Sequence, residues 1–251
     1  AGNSGQKTGS IAIGWQAGFL DQSGNSIAIG VQAGKATQQQ NSIAIGSGAG
    51  QTNQGTSAIA IGNTSGNTSQ GQNSIAIGNG SGNGAQKSAA IAIGVSSGSS
   101  NQAQNAIAIG VESGRRVQSS GGISIGFQAG NSGQGTNAIA IGVLAGSTQG
   151  TGSIAIGYQA GINTDASGNS IAIGVNAGQT AQTSGSIAIG FQAGTSGQGA
   201  NAVAIGFVAS ARALLIAIAV SICLDIVVSS ISLRLRCFSL RSAMALVLAS
   251  F

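Results

Sequence analysis

Asn25-Ser26-Ile27-Ala28-Ile29-Gly30-Val31-Gln32-Ala33-Gly34 is the stretch that decides the fold, because the chain repeats it. Its centre, Ile-Ala-Ile-Gly or a near match, begins at residues 11, 27, 43, 59, 75, 91, 107, 123, 139, 154, 171, 187 and 203. These thirteen copies are 16 residues apart, except for one spacing of 15 followed by one of 17, after which the register recovers. So strict a period means identical units stacked in one direction. The third slot is always Ile and the fourth always Gly; the first is Ile except Val203, and the second Ala except Ser124. Two variable residues, a small residue (Ala17, Ser65) and another Gly follow, with Ser210 replacing that Gly in the last copy.

Side chains alternate between the faces of a strand, and Ile suits strands. Each unit therefore reads as a short strong strand, a second shorter strand around Gln16 and Ala17, and a polar return loop with turn chemistry. Gly14 ends or bends the strand, and Gly18 marks the next corner. The expected architecture is all-β: a parallel β-roll or β-solenoid of about thirteen 16-residue coils, about 60 Å long at about 4.8 Å per coil. Two isoleucines per coil form the expected interior ladder, namely Ile11, Ile13, Ile27, Ile29, Ile43, Ile45, Ile59, Ile61, Ile75, Ile77, Ile91, Ile93, Ile107 and Ile109 and their continuation. The outward Ala column, Ala12, Ala28, Ala44, Ala60, Ala76, Ala92 and Ala108, is the candidate subunit interface, since a column of methyl groups lets another backbone approach. So thin a core calls for such self-association. Asn25, Asn41, Asn73, Asn105, Asn137, Asn169 and Asn201, two places before the motif, suggest a further hydrogen-bonded ladder.

Composition narrows the chemistry. Among 251 residues, 44 are Gly, none is Pro or His, and charged residues make up 5 % against about 25 % in an ordinary domain. Aromatics are 3 %, and the only acids are Asp21, Glu112, Asp165 and Asp225. Without His and with four scattered acids, most acid–base and metal chemistry is excluded, and the abundant serines lack an activating base. No phosphate-loop pattern, periodic Asp for calcium or aligned Thr column occurs. The expectation is a non-enzymatic protein with no metal and no cofactor. The net charge of +5 and pI of 10.0 reflect scarce acids, so no nucleic-acid partner is expected. The slot after the motif holds residues as different as Trp15 and Asn63, which marks it as peripheral. Its aromatics Trp15, Phe127, Tyr158 and Phe191, with the basic doublet Arg115-Arg116 beside Glu112, are the candidate ligand contacts.

Composition changes abruptly at Ser210. Residues 1–209 read as the β-roll domain, and residues 210–251 as an apolar, basic tail with no Gly, Asn, Gln or Thr. Three readings of the tail stand open. Leu214 to Leu233 has the length of a membrane helix, with Arg234, Arg236 and Arg241 beyond it and Asp225 within it. Ile231, Leu233, Leu235 and Cys237 alternate with polar residues as in a strand, and with the terminal Phe251 suggest a barrel anchor. A shifted reading frame would also end the repeat at one point. Cys223 and Cys237 both lie here, which argues against a disulfide scaffold. The chain opens at Ala1 without Met or a signal-peptide pattern, so secretion is not read from its start.

Ser26 to Ala33, Ser-Ile-Ala-Ile-Gly-x-x-Ala, resembles the head repeat of YadA-like trimeric autotransporter adhesins and related phage and giant-virus fibre proteins. The resemblance spans residues 10–209. It implies a left-handed β-roll that forms a homotrimer, is displayed on the bacterial outer membrane or a virion surface, and binds a host surface or matrix protein or a glycan. Membrane contact would come only through the tail. The alternative role is a structural spacer or self-assembling fibre without a ligand. Here the unit is longer than the common head repeat, and its Gln-Gly loops (Gln54-Gly55, Gln70-Gly71, Gln134-Gly135, Gln198-Gly199) are similar to the viral variants. No neck, coiled-coil stalk or full anchor is recognisable, so surface attachment is an implication of the resemblance alone.

Overall fold

The computed structural model describes residues 1–164 and 168–209; the readings of the tail, Cys223 and Cys237 lie outside the described residues. Each motif forms a three-residue strand, from Ile11–Ile13 to Val203–Ile205, and the thirteen strands make one parallel sheet. Equivalent residues pair from coil to coil: Ile11 with Ile27, Ala12 with Ala28, Ile13 with Ile29. The chain is a β-solenoid with no helix among the described residues.

The invariant glycine of the fourth slot has a steric cause. Gly14 and its equivalents through Gly206 hold φ between 121° and 129°, where L side chains are strained. A Cβ on Gly94 would also stand 2.6 Å from the carbonyl oxygen of Gly110 in the next coil. The glycine therefore ends the strand and lets successive corners nest.

The second strand is not at Gln16 and Ala17, where the chain turns. It comes later, at Leu20–Gln22, Ala36–Gln38, Thr52–Gln54 and Thr68–Gln70 in a four-stranded sheet, and resumes in a five-stranded sheet from Gly133–Gln134 to Ser196–Gln198. Isolated bridges Gln70–Gln86–Gln102–Gln118–Gln134 join the two. Six residues separate the end of the first strand from the start of the second, as residues 14–19 do, so the second strand is displaced toward the loop.

The interior reverses the expected assignment of faces. Ala28, Ala44, Ala60, Ala76, Ala92 and Ala108 are fully buried and Ala12, in the first coil, is half-buried. The Ala column is therefore the core and cannot be a subunit interface. None of the isoleucines Ile11, Ile13, Ile27, Ile29, Ile43, Ile45, Ile59, Ile61, Ile75, Ile77, Ile91, Ile93, Ile107 or Ile109 is buried; Ile13 is 58 % exposed. The reason is cross-section. A Cβ built on Gly98, across the coil, would lie 3.2 Å from the Cβ of Ala92, so the space between the walls takes a methyl group and nothing larger. Alternation held, but tight coiling placed the small side chain inside.

The rest of the interior is polar. Gln22, Gln38, Gln54, Gln70, Gln86, Gln102, Gln118 and Gln134 form a buried column. Each Nε2 donates to the carbonyl of the first isoleucine of its own coil, as Gln54 does to Ile43 at 2.7 Å and Gln102 to Ile91 at 2.7 Å. In places the amides also bond one another, as from Gln86 through Gln102 and Gln118 to Gln134. Ser124, the one non-Ala second slot, joins them by donating to Gln134 Oε1 at 2.7 Å. The asparagines before the motif form no such ladder. Asn25, Asn41, Asn73, Asn105, Asn137, Asn169 and Asn201 adopt φ of 55–60°, the left-handed region that Asn tolerates better than most residues.

Candidate functional site: the isoleucine face and the corner stripe

Two surfaces run the length of the solenoid. One is the outer face of the thirteen-stranded sheet, which carries two isoleucines in twelve coils and Val203 with Ile205 in the last. Ile45, Ile109 and Ile141 are each 36 % exposed, and Ile205 reaches 64 % in the last coil. An apolar face this long is far from the scattered single hydrophobics of an ordinary surface.

The other is the corner that follows the motif glycine. The residue after it points outward in every coil, and the next residue turns with positive φ, as at Gln16, Gln32, Gln128, Gln159 and Gln192. The structure thus places Trp15, Phe127, Tyr158 and Phe191 in one exposed column, with exposures from 42 % to 63 %. Val31, Val95, Val111, Val143, Val175 and Phe207 share it, while Ser47, Asn63 and Asn79 interrupt it. Phe191 and Phe207, in adjacent coils, stack with ring centroids 5.1 Å apart and planes within 10°. Backbone bonds hold the column straight, as from Gln32 N to Trp15 O at 2.8 Å.

Trp15 stands seven coils from Phe127, so the four aromatics do not form one cluster. Arg115 and Arg116 lie elsewhere, beyond the corner on the way to the Gln column, and both are exposed. Arg115 pairs with Glu112 at 3.6 Å, and Glu112 also accepts from Gln128 Nε2 at 2.7 Å. Among the described residues no three His, Cys, Asp or Glu side chains gather where they could hold a metal ion. The arrangement is two surfaces, each repeated from coil to coil.

The buried Gln column was missed by sequence reasoning although its signal was present: Gln recurs eleven residues after the first isoleucine in most coils, from Gln22 to Gln198. Its chemistry depends on the isoleucine carbonyls that face it across the coil, a tertiary arrangement.

The family model for the YadA head domain repeat matches residues 23–49, 54–81, 134–160, 166–193 and 184–209, together half of the chain. The chain belongs to the YadA head domain repeat family. No curated protein matches it. The matched residues are adhesin-type YadA head repeats, and the solenoid they lie in has the nested glycines and the alanine-lined interior described above.

Proposed function

We propose that this YadA-type head is the stiff, ligand-presenting part of a surface-displayed fibrous adhesin, and that it assembles as a homotrimer through its isoleucine face. The observation that carries the reading is that face: two β-branched apolar side chains per coil, turned to solvent over thirteen coils. Burying apolar area is the main favourable term in association, at about 25 cal/mol per Å². The interior of a coil holds alanine methyls, serine hydroxyls and glutamine amides, so the part of each isoleucine that neighbouring coils leave exposed gains burial from another chain. The family supports trimerisation and host binding in general. On this reading the protein lies outside the cell, at a bacterial outer membrane or a virion surface. It attaches to a host or matrix protein or glycan, and similar sites repeated along the solenoid add avidity.

The test is the solution mass of the full chain by light scattering, with circular dichroism on the same sample. A β-rich trimer that falls to monomer in the Ile77→Lys, Ile93→Lys double variant supports the assembly. A β-rich monomer in the parent chain overturns it. Adherence of the parent chain to immobilised matrix proteins and glycans then separates an adhesin from a spacer without a ligand.

A further inference from the structure

We propose that a polar cleft between Lys7 and Gln39 binds a saccharide carrying one carboxylate, of the uronic or sialic acid kind. The inference rests on the reading of this chain as a surface-binding head and names the ligand class of one of its sites. The return loop that leads into each motif carries two aligned columns of residues, before the strands rather than after them as the aromatic stripe is. Lys7, Ser23 and Gln39 stand in one column, and Thr8, Gly24 and Gln40 in the other. Backbone bonds hold them coil on coil, from Lys7 N to Gln22 O at 3.0 Å, from Ser23 N to Gln38 O at 2.8 Å and from Asn25 N to Thr8 O at 3.1 Å. The middle coil has the small residues. Ser23 and Gly24 make a floor between longer side chains on either side, and an open cleft of about 620 Å³ lies there, lined also by Asn25 and Thr56. Its walls belong to coils two apart, about 9.6 Å at about 4.8 Å per coil, which leaves room for one sugar ring between them.

The polar groups of this cleft are uncommitted. Farther along the same columns side chains are tied to the backbone: Thr183 Oγ1 donates to Gln198 O at 2.9 Å, and Ser120 Oγ to Gln104 O at 3.0 Å. In the cleft, no side chain of Lys7, Thr8, Ser23, Asn25, Gln39 or Gln40 makes a hydrogen bond or ion pair with another described residue. Asp21, the one acid before Glu112, is not part of the lining and forms no ion pair with Lys7.

That inventory selects the ligand. Amides and hydroxyls donate and accept, whereas an ammonium only donates. One cation among six neutral hydrogen-bonding side chains matches a molecule with one negative charge and many hydroxyls. Lys7 Nζ would meet the carboxylate in a charge-assisted bond, and the amides and hydroxyls would meet the ring hydroxyls. A bare inorganic anion would leave most of these groups unused. A nucleic acid asks for several cations and for aromatic side chains on which bases stack, and the lining has one cation and no aromatic. Lys87 provides an internal comparison: it stands in the column of Lys7, but its neighbours there are Gly71 and Ala103, which raise no wall.

The experiment is calorimetric titration of the full chain with methyl glucuronide and with the methyl α-glycoside of N-acetylneuraminic acid. Methyl glucoside serves as the neutral control and sodium sulfate as the bare anion. The parent chain is compared with Lys7→Gln, which removes the charge, with Ser23→Gln, which fills the floor with the residue the column already holds at Gln39, and with Lys87→Gln. The expected result is that one of the acidic sugars binds at least about tenfold more tightly than methyl glucoside or sulfate. That binding weakens at least about tenfold in Lys7→Gln and in Ser23→Gln at unchanged circular dichroism, and keeps its strength in Lys87→Gln. Four results overturn the proposal: no binding of either acidic sugar; equal binding of methyl glucoside or of sulfate, the latter marking an adventitious anion site; unchanged binding in Lys7→Gln or Ser23→Gln; or an equal loss in Lys87→Gln, which assigns the effect to overall charge. Adherence to matrix-coated surfaces with no acidic sugar bound by the parent removes the cleft and leaves the adhesin reading standing. Sugar binding in the cleft without adherence to matrix removes the adhesin reading and leaves the cleft.

Discussion

At the scale of single residues the solenoid is governed by backbone conformation and close approach. Gly94 faces the carbonyl of Gly110 at a distance no Cβ tolerates, and its φ of 123° lies outside the range of L residues. Gly94→Ala is therefore expected to cost about 3 kcal/mol or more, seen as a fall in the denaturation midpoint by circular dichroism. The opposite change is available at Ala89. It occupies the slot held by Asn25 and Asn41 two places before their motifs, and it carries φ of 57°. Ala89→Gly relieves the left-handed strain at the expense of a freer unfolded chain, and the expected net gain is about 0.5–1 kcal/mol in chemical denaturation. A loss of stability there would mean that Ala89 keeps its place for packing.

At the scale of the element, each coil is a thin wall against a thin wall, closed by one amide. Gln102 illustrates the closure: its Nε2 donates to Ile91 O at 2.7 Å, to Ala106 O at 3.2 Å and to Gln118 Oε1 at 3.1 Å. Gln102→Ala takes the donor from buried carbonyls and is expected to cost about 2 kcal/mol, measured by denaturant titration. Ala92→Ile tests the direction of the faces. Ala92 is fully buried opposite Gly98, so a branched side chain overpacks the coil; the expected loss is about 3 kcal/mol or more. Ile93→Thr, one residue on and facing outward, is expected to leave the coil's fold intact by circular dichroism. The uneven spacings are absorbed in the same manner. Ile139, Ile154 and Ile171 stay in register across the short and long coils, and the irregularity falls on the second sheet at Asn163 and Thr164.

At the scale of the whole solenoid the consequence is an apolar face turned outward along the thirteen-stranded sheet. Stacking covers most of each inner isoleucine, as small units gain burial from their neighbours, but it leaves the outer surfaces of these side chains wet. Assembly through that face should depend weakly on salt, since the face carries no charge. Solution mass measured across a salt series should stay constant, whereas a mass that falls with salt would point to the few charged groups, such as Arg115 and Glu112, as the contact.

Much of this protein is legible along the chain. The period, the strand in Ile-Ala-Ile, the corner at Gly14 and the outward placement of Trp15, Phe127, Tyr158 and Phe191 all follow from local rules, because alternation and glycine geometry act within a few residues. The Gln column was also written there, as a recurrence without an evident purpose. What only the tertiary structure decided is which face of the strand is inside. Hydrophobicity argued for isoleucine, but the distance across the coil is set by wall meeting wall. At Gly98 and Ala92 that distance admits a methyl group and excludes a butyl side chain.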